Sequence, residues 1–441
     1  MHSPVTLSNE IILEICSYLS LGQKSNFSRT CKRLDALIEP QIWADLELHA
    51  KGYHDSRDEI KHPPPFKSPS DRVYRCYHYR GGLSPLNTLR QLVETHDQDR
   101  LRTLASRVRS LCSVIDTGDK IWNILPYCIN LEVLELNARW DEVDQRTNEV
   151  RLPPLPKLRF AKLLGYIPRA GARWILRSGP TLERLELGML DRPIQTSLWF
   201  DRDLAPLPEE NLAGPNQAPD YGSLNYELVH PRPLGGFLPE EGVSLPLLQH
   251  LYLCSTAHRK HTYYAEDEGW SSRAEEASAQ DWIDILMASR QTLETLVLEH
   301  KLTIPESETE ERGEEEIMRD FHTNNDGGGS SKLADVLEAV AVHNVEEFPE
   351  LTHVYFYGIV VSKGLDTSPS EERPVGRVMK RLGEEGVTCE ARRGQWLTFV
   401  DDDGWTDSAD CDALSDSSYG SQESERRIHW DEVIASVQGA D

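Results

Sequence analysis

Leu131-Glu132-Val133-Leu134-Glu135-Leu136-Asn137 carries the reading of the fold, because its apolar-x-x-apolar-x-apolar spacing returns along the chain. The pattern recurs as Leu155-Leu158-Phe160, Leu182-Leu185-Leu187, Leu248-Leu251-Leu253, Leu293-Leu296-Leu298 and Leu351-Val354-Phe356, with a weaker copy from Val108 to Leu111. Successive copies begin 23, 24 and 27 residues apart up to Leu182, then 66, 45 and 58 apart. Alternation at the end of each copy is the period of a strand buried on one face. Helical stretches containing Trp122, Trp174 and Trp282 precede three of the copies. These tryptophans read as packing residues rather than ligand clamps.

Neither a strand nor a helix of this kind buries its apolar face alone, so stacking of units predicts a continuous core and a curved, strand-lined surface. The early spacing is the period of leucine-rich repeats, and the wider gaps fit units that carry insertions. The expected fold class is therefore α/β, with an irregular leucine-rich-repeat solenoid over 108–395 and insertions at 201–246, 262–280 and 304–331. Residues flanking the inner leucines should point to the opposite face, among them Val133, Glu135 and Asn137, then Lys157, Arg159 and Ala161. The later strands place Arg184, Glu186, His250, Tyr252, His353, Tyr355 and Tyr357 there. These seven are the candidate substrate-binding residues, since exposed tyrosines supply large, rigid contact area.

The first fifty residues read differently. From Ile11 to Leu19 only Glu14 and Ser17 are polar, and Thr6, Ser8 and Asn9 precede as helix-capping types. A surface helix needs one apolar stripe, so a helix apolar nearly all round is buried on two sides, one in its own domain and one on a partner. A second helical stretch runs from Leu21 to Cys31, and a third carries Leu34, Leu37 and Ile38 up to Pro40, which is expected to stop it.

Leu7-Ser8-Asn9-Glu10-Ile11, Ile15, Tyr18-Leu19, Thr30-Cys31-Lys32-Arg33-Leu34 and Pro40-Gln41-Ile42-Trp43 resemble an F-box over about a tenth of the chain. The resemblance implies a three-helix domain over 1–48 that docks a Skp-type adaptor, which joins it to a cullin scaffold and its ubiquitin-charged enzyme. It places Leu7, Ser8, Ile11, Ile15, Leu19 and Leu34 as adaptor-binding residues. The function then expected is that of the substrate-recognition subunit of a Skp-cullin-F-box ubiquitin ligase, non-catalytic, with a protein substrate on the repeat surface. A repeat scaffold working without a cullin is the alternative. An enzyme with its site in 201–246 is a third reading, without candidate residues.

Composition bounds these readings. The 441 residues carry 47 basic and 73 acidic side chains, a net −26, which disfavours nucleic acid and anionic lipid as partners. Much of the surplus is local: 306–326 holds nine acids against Arg312 and Arg319, and 401–441 holds twelve against Arg426 and Arg427. Like-charge blocks repel themselves, so 396–441 reads as an acidic, disordered tail and 49–107, with Pro63-Pro64-Pro65, as a linker and helical spacer. Eight cysteines without a CxxC pair, no signal-like opening and no apolar run near the ~18 residues that span a bilayer point to an intracellular protein, cytoplasmic or nuclear. No phosphate-binding, nucleophile-elbow or HExxH motif occurs, so neither cofactor nor metal is expected.

Overall fold

The computed structural model of the chain describes residues 7–19, 21–48, 85–115, 121–138, 152–165, 167–195, 229–257, 268–305, 316, 336–338, 347–359, 361–362, 368–392 and 396–399. The chain opens with α1 (Asn9–Ser17), α2 (Leu21–Ser28) and α3 (Lys32–Ala44). Ser8 caps α1 by accepting the Ile11 N–H at 3.5 Å, and Arg33 ties α3 back to the same end, donating to the Leu7 carbonyl and to Asn9 Oδ1 at 2.7 Å each. Ile12 and Cys16, one turn apart on α1, meet Leu34 and Ile38, one turn apart on α3, in a small core. Pro40 lies inside α3 rather than ending it. It removes one N–H from the ladder, but Ala36, whose carbonyl loses that bond, is exposed and open to water.

From Asp45 the chain builds one sheet. The strands β1 (Asp45–Leu48), β2 (Ser110–Ile115), β3 (Val133–Ala138), β4 (Phe160–Gly165), β5 (Arg184–Gln195), β7 (His250–Ala257), β8 (Thr295–Pro305), β9 (His353–Tyr357) and β10 (Thr388–Arg392) lie side by side in that order. Every neighbouring pair along this path is parallel. Two strands lie off it: β6 (Val229–Pro233) runs antiparallel to the outer part of β5, and β11 (Trp396–Phe399) runs parallel to the end of β8. Between strands come α4 (Pro85–Glu94), α5 (Gln98–Ala105), α6 (Ile121–Ile124), α7 (Arg169–Leu176), α8 (Glu268–Ser289) and α9 (Pro374–Glu384).

The leucine pattern supplies the core. Leu134, Ala161, Leu185, Leu251, Leu296 and Val354 are in register across six strands, with Leu136, Leu163, Leu187, Leu253, Leu298 and Phe356 two residues on. They share one buried cluster with Ile124, Trp174, Ile175, Trp282, Ile285 and Val378, so the helices cover this face. Each strand is entered through the same turn. The N–H groups of Arg159 and Phe160 both donate to the Glu132 carbonyl, those of Glu183 and Arg184 to Arg159, those of Gln249 and His250 to Glu183, and those of Glu294 and Thr295 to Gln249. The side chain before the first leucine repeats the link: Thr181 donates to the Leu158 carbonyl at 2.6 Å and Thr292 to the Leu248 carbonyl at 2.8 Å. Backbone groups that end a strand are thus satisfied by the preceding one.

The expected architecture, a three-helix F-box-like domain followed by an irregular leucine-rich-repeat solenoid, is corrected by this sheet. The chain forms an α/β fold around a nine-strand, all-parallel path, and the N-terminal helices run directly into its edge. Ala44 ends α3, its carbonyl accepts the Arg109 N–H at 2.8 Å, and Asp45 begins β1. Four residues are too few to show a periodic signal, which is why β1 is invisible in the sequence pattern. The first half of α8 and β11 fall where an insertion and the start of a tail were expected. One register also shifts: the unit aligned with Leu131-Leu134-Leu136 is Leu158-Ala161-Leu163, not Leu155-Leu158-Phe160. Small Ala161 hid the true copy, so Lys157 and Arg159 lie in the turn and Lys162 takes the outward strand position. The expected insertion residues 201–228, the acidic block apart from Glu316, the Pro63 stretch and residues 400–441 lie outside the described residues.

Candidate functional site

The sheet face turned away from the helices is polar and, unexpectedly, closed. Across it run Cys112, Glu135, Lys162, Glu186, Tyr252, Val297 and Tyr355 in register, one from each strand of the parallel path from β2 to β9, β6 lying off it. Lys162 Nζ donates to Glu135 Oε1 at 2.8 Å, and Arg184 Nε donates to Glu186 Oε1 at 2.7 Å. The Arg184 guanidinium also lies over the Phe160 ring, 5.0 Å from its centre. Burial works against the Lys162 ammonium, but Glu135 and Glu186 outweigh it and raise its pKa above the ordinary value, so it stays charged at neutral pH. Burial pushes the Glu186 carboxyl up, against the pull of Lys162 and Arg184.

Beyond this charged stretch the face becomes aromatic. Tyr252, Cys254, Val297, Tyr355 and Tyr357 form a second apolar cluster. The Tyr252 hydroxyl donates to Glu299, and burial holds its pKa well above the usual phenol range, with Cys254 and Glu299 adding to the effect. Such a phenol is a hydrogen-bond donor, not a base.

These placements separate the candidate substrate-binding residues. Tyr252 is 1% exposed and Glu186 2%, and Tyr355 and Tyr357 are also buried, so their expected role as an open recognition surface is corrected. Lateral packing contributes: strands ~4.8 Å apart set rings and carboxylates of one row against each other. Arg184 and His250 are half-buried and His353 is exposed, at the edge where the strands begin. Burial, then Arg184, lowers the His250 pKa, so that ring is neutral at pH 7. His353 stacks on Tyr355 at 6.0 Å and 8°.

The N-terminal residues divide as cleanly. Ile11 is 49% exposed, Ile15 39% and Tyr18 80%, the only large apolar side chains so exposed among the described residues besides Ile129 and Leu247. Ile11, Ile15 and the C-cap residue Tyr18 share one stripe of α1, about a third of a turn round the helix from Ile12 and Cys16. Ser8 is exposed and spends its hydroxyl on the cap, and Leu7 and Leu19 are half-buried against the helical core. Leu34, 1% exposed, lies inside that core, so its expected role as an adaptor-binding residue is corrected: it packs against the inner side of α1. Tyr18, absent from the expected adaptor-binding residues, is the most exposed of the three, and its spacing from Ile11 and Ile15 is readable in the sequence. Lys162 was missed because of the shifted register.

Among the described residues no group of three or more His, Cys, Asp or Glu is placed to hold a metal ion, and no helix is long and apolar enough to cross a membrane. Compared with protein-family models and with curated proteins, the chain matches none.

Proposed function

We propose that the chain is a non-catalytic recognition subunit of a Skp-cullin-F-box ubiquitin ligase, holding a Skp-type adaptor on α1 and a protein substrate along the strand-entry edge of the sheet. The observation that carries this reading is the outward stripe of Ile11, Ile15 and Tyr18 on a helix whose other face is already used. Water-exposed apolar side chains aligned on one helix face are the surface that an apolar groove on a partner covers. Covering each half-exposed isoleucine would contribute about 1 kcal/mol by area, enough with surrounding contacts for a stable complex. The resemblance of residues 7–43 to an F-box supplies the identity of the partner. On the substrate side, Arg184, His250 and His353 remain reachable, and the buried Glu135–Lys162–Glu186 row holds β5, the strand that presents Arg184, to β4 and β3. An intracellular setting, cytoplasmic or nuclear, goes with this role.

Co-expression with a Skp-type adaptor tests the reading: the two should co-purify in equimolar amounts through size exclusion. A chain that elutes alone at micromolar concentration would leave an interaction scaffold without a cullin as the better description.

A further inference from the structure

Residues 234–241 follow β6 and cross between α7 and α8, and both helices grip their backbone. Arg169, Arg173 and Arg177 occupy successive turns of one α7 face. Arg169 Nε donates to the Gly235 carbonyl at 2.8 Å, and Arg173 donates to the carbonyls of Leu238 at 3.1 Å and Gly236 at 3.2 Å. Arg177 Nε donates to Glu241 Oε1 at 3.0 Å. From the other side Asp281 of α8, itself buried, accepts the Phe237 N–H at 3.1 Å and the Gly236 N–H. Phe237 is buried in the main core. Gly235 lies so close to α8 that a Cβ there would stand 2.5 Å from Ala277 Cβ, and Gly236 turns the chain at φ +65°.

We propose that residues 234–241 form a strap clamping α7 to α8, with Asp281 as its proton-sensitive catch, so that the strap closes more tightly as the medium becomes mildly acidic. The strap holds the end of β6, which pairs with the outer part of β5, and leads from there toward β7. Two strap N–H groups anchor the carboxylate, yet they do not offset its removal from water. Burial pushes the Asp281 carboxyl up to about 6 from its ordinary 3.8, against those N–H groups and Arg169, with Asp284 adding to the rise. Of the strap's own two acids, Glu241 is engaged by Arg177 and Glu240 is exposed. An opened strap returns Asp281 to water and to its ordinary value. Protonation therefore favours the closed strap: the gain is complete below the open-state value and is lost as pH rises through about 6.

Hydrogen exchange on the full chain at pH 8 and pH 5, corrected for intrinsic rates, reads the strap directly. Amides of 234–241 should gain roughly tenfold protection at pH 5, while those of β7 do not follow. Asp281→Asn, a neutral isostere, should hold the strap protected at both pH values. Equal or lower protection of 234–241 at pH 5 in the parent, or an unchanged pH response in Asp281→Asn, overturns the proposal. If the variant does not fold, carbon NMR of the parent's Asp281 carboxyl decides, and a midpoint below 5 counts against the catch.

Discussion

Replacing Lys162 by methionine removes the one positive charge between Glu135 and Glu186 while keeping most of the volume. In the parent the ammonium is buried, 2.8 Å from Glu135, and lies across the strand pair from Glu186, itself 2% exposed. Breaking a buried ion pair from one side typically costs about 3 to 5 kcal/mol, because the remaining charge stays out of water. Glu186 keeps Arg184, 2.5 Å away, so the expected loss lies near the lower end, about 3 kcal/mol at pH 7.5. The sign with pH follows from the carboxyls left behind. Without Lys162 their folded-state pKa values rise, and a raised carboxyl contributes stability that is present in acid and lost as pH climbs through the folded value. The deficit should therefore shrink by half or more at pH 5. Chemical denaturation of parent and variant at the two pH values measures it. A deficit under ~1 kcal/mol at pH 7.5, the worth of an exposed pair, or one equal at both pH values, would refute the view that this row is a buried, mutually dependent charge network.

Two further outcomes test the packing. Leu251→Ala, in the centre of the leucine face, should cost about 2 to 5 kcal/mol, whereas Leu247→Ala, half-exposed in the turn before it, should change stability by less than ~0.5 kcal/mol; thermal melts distinguish them. Within α9, Gly376→Ala drives a Cβ to 2.1 Å from the Ser370 carbonyl oxygen and should cost about 1 to 3 kcal/mol, while Gly383→Ala meets nothing within 4 Å and should stabilise the helix by about 0.5 to 1 kcal/mol. Opposite shifts in denaturation midpoint are the expected result.

Much of the helix-facing side of the sheet was legible, because leucines at strand period leave no choice about which residues go inside. Leu182-Leu185-Leu187, Leu248-Leu251-Leu253 and Leu293-Leu296-Leu298 are buried where the spacing puts them. The other face was misread for one physical reason: alternation says that Tyr252 and Glu186 point away from the leucines, not that they reach water. What lies beside them comes from far off in sequence, Tyr252 standing next to Glu186 and Val297 on the neighbouring strands, information that no local pattern holds. How the strands join was lost the same way, since β1 is four residues long and pairs with a strand starting at Ser110. The two-sided character of α1 was readable from its composition. Which residues take which side required the positions of Leu34 and Ile38 on α3.

The central claim, that α1 is a docking helix, is tested most directly by calorimetric titration of a Skp-type adaptor into the full chain and into Ile11→Asp/Ile15→Asp. Both positions are exposed, so circular dichroism and melting should match the parent. Two carboxylates forced into a desolvated apolar contact should weaken binding at least ~100-fold. Unchanged affinity in the folded variant, or no binding by the parent, would contradict the account.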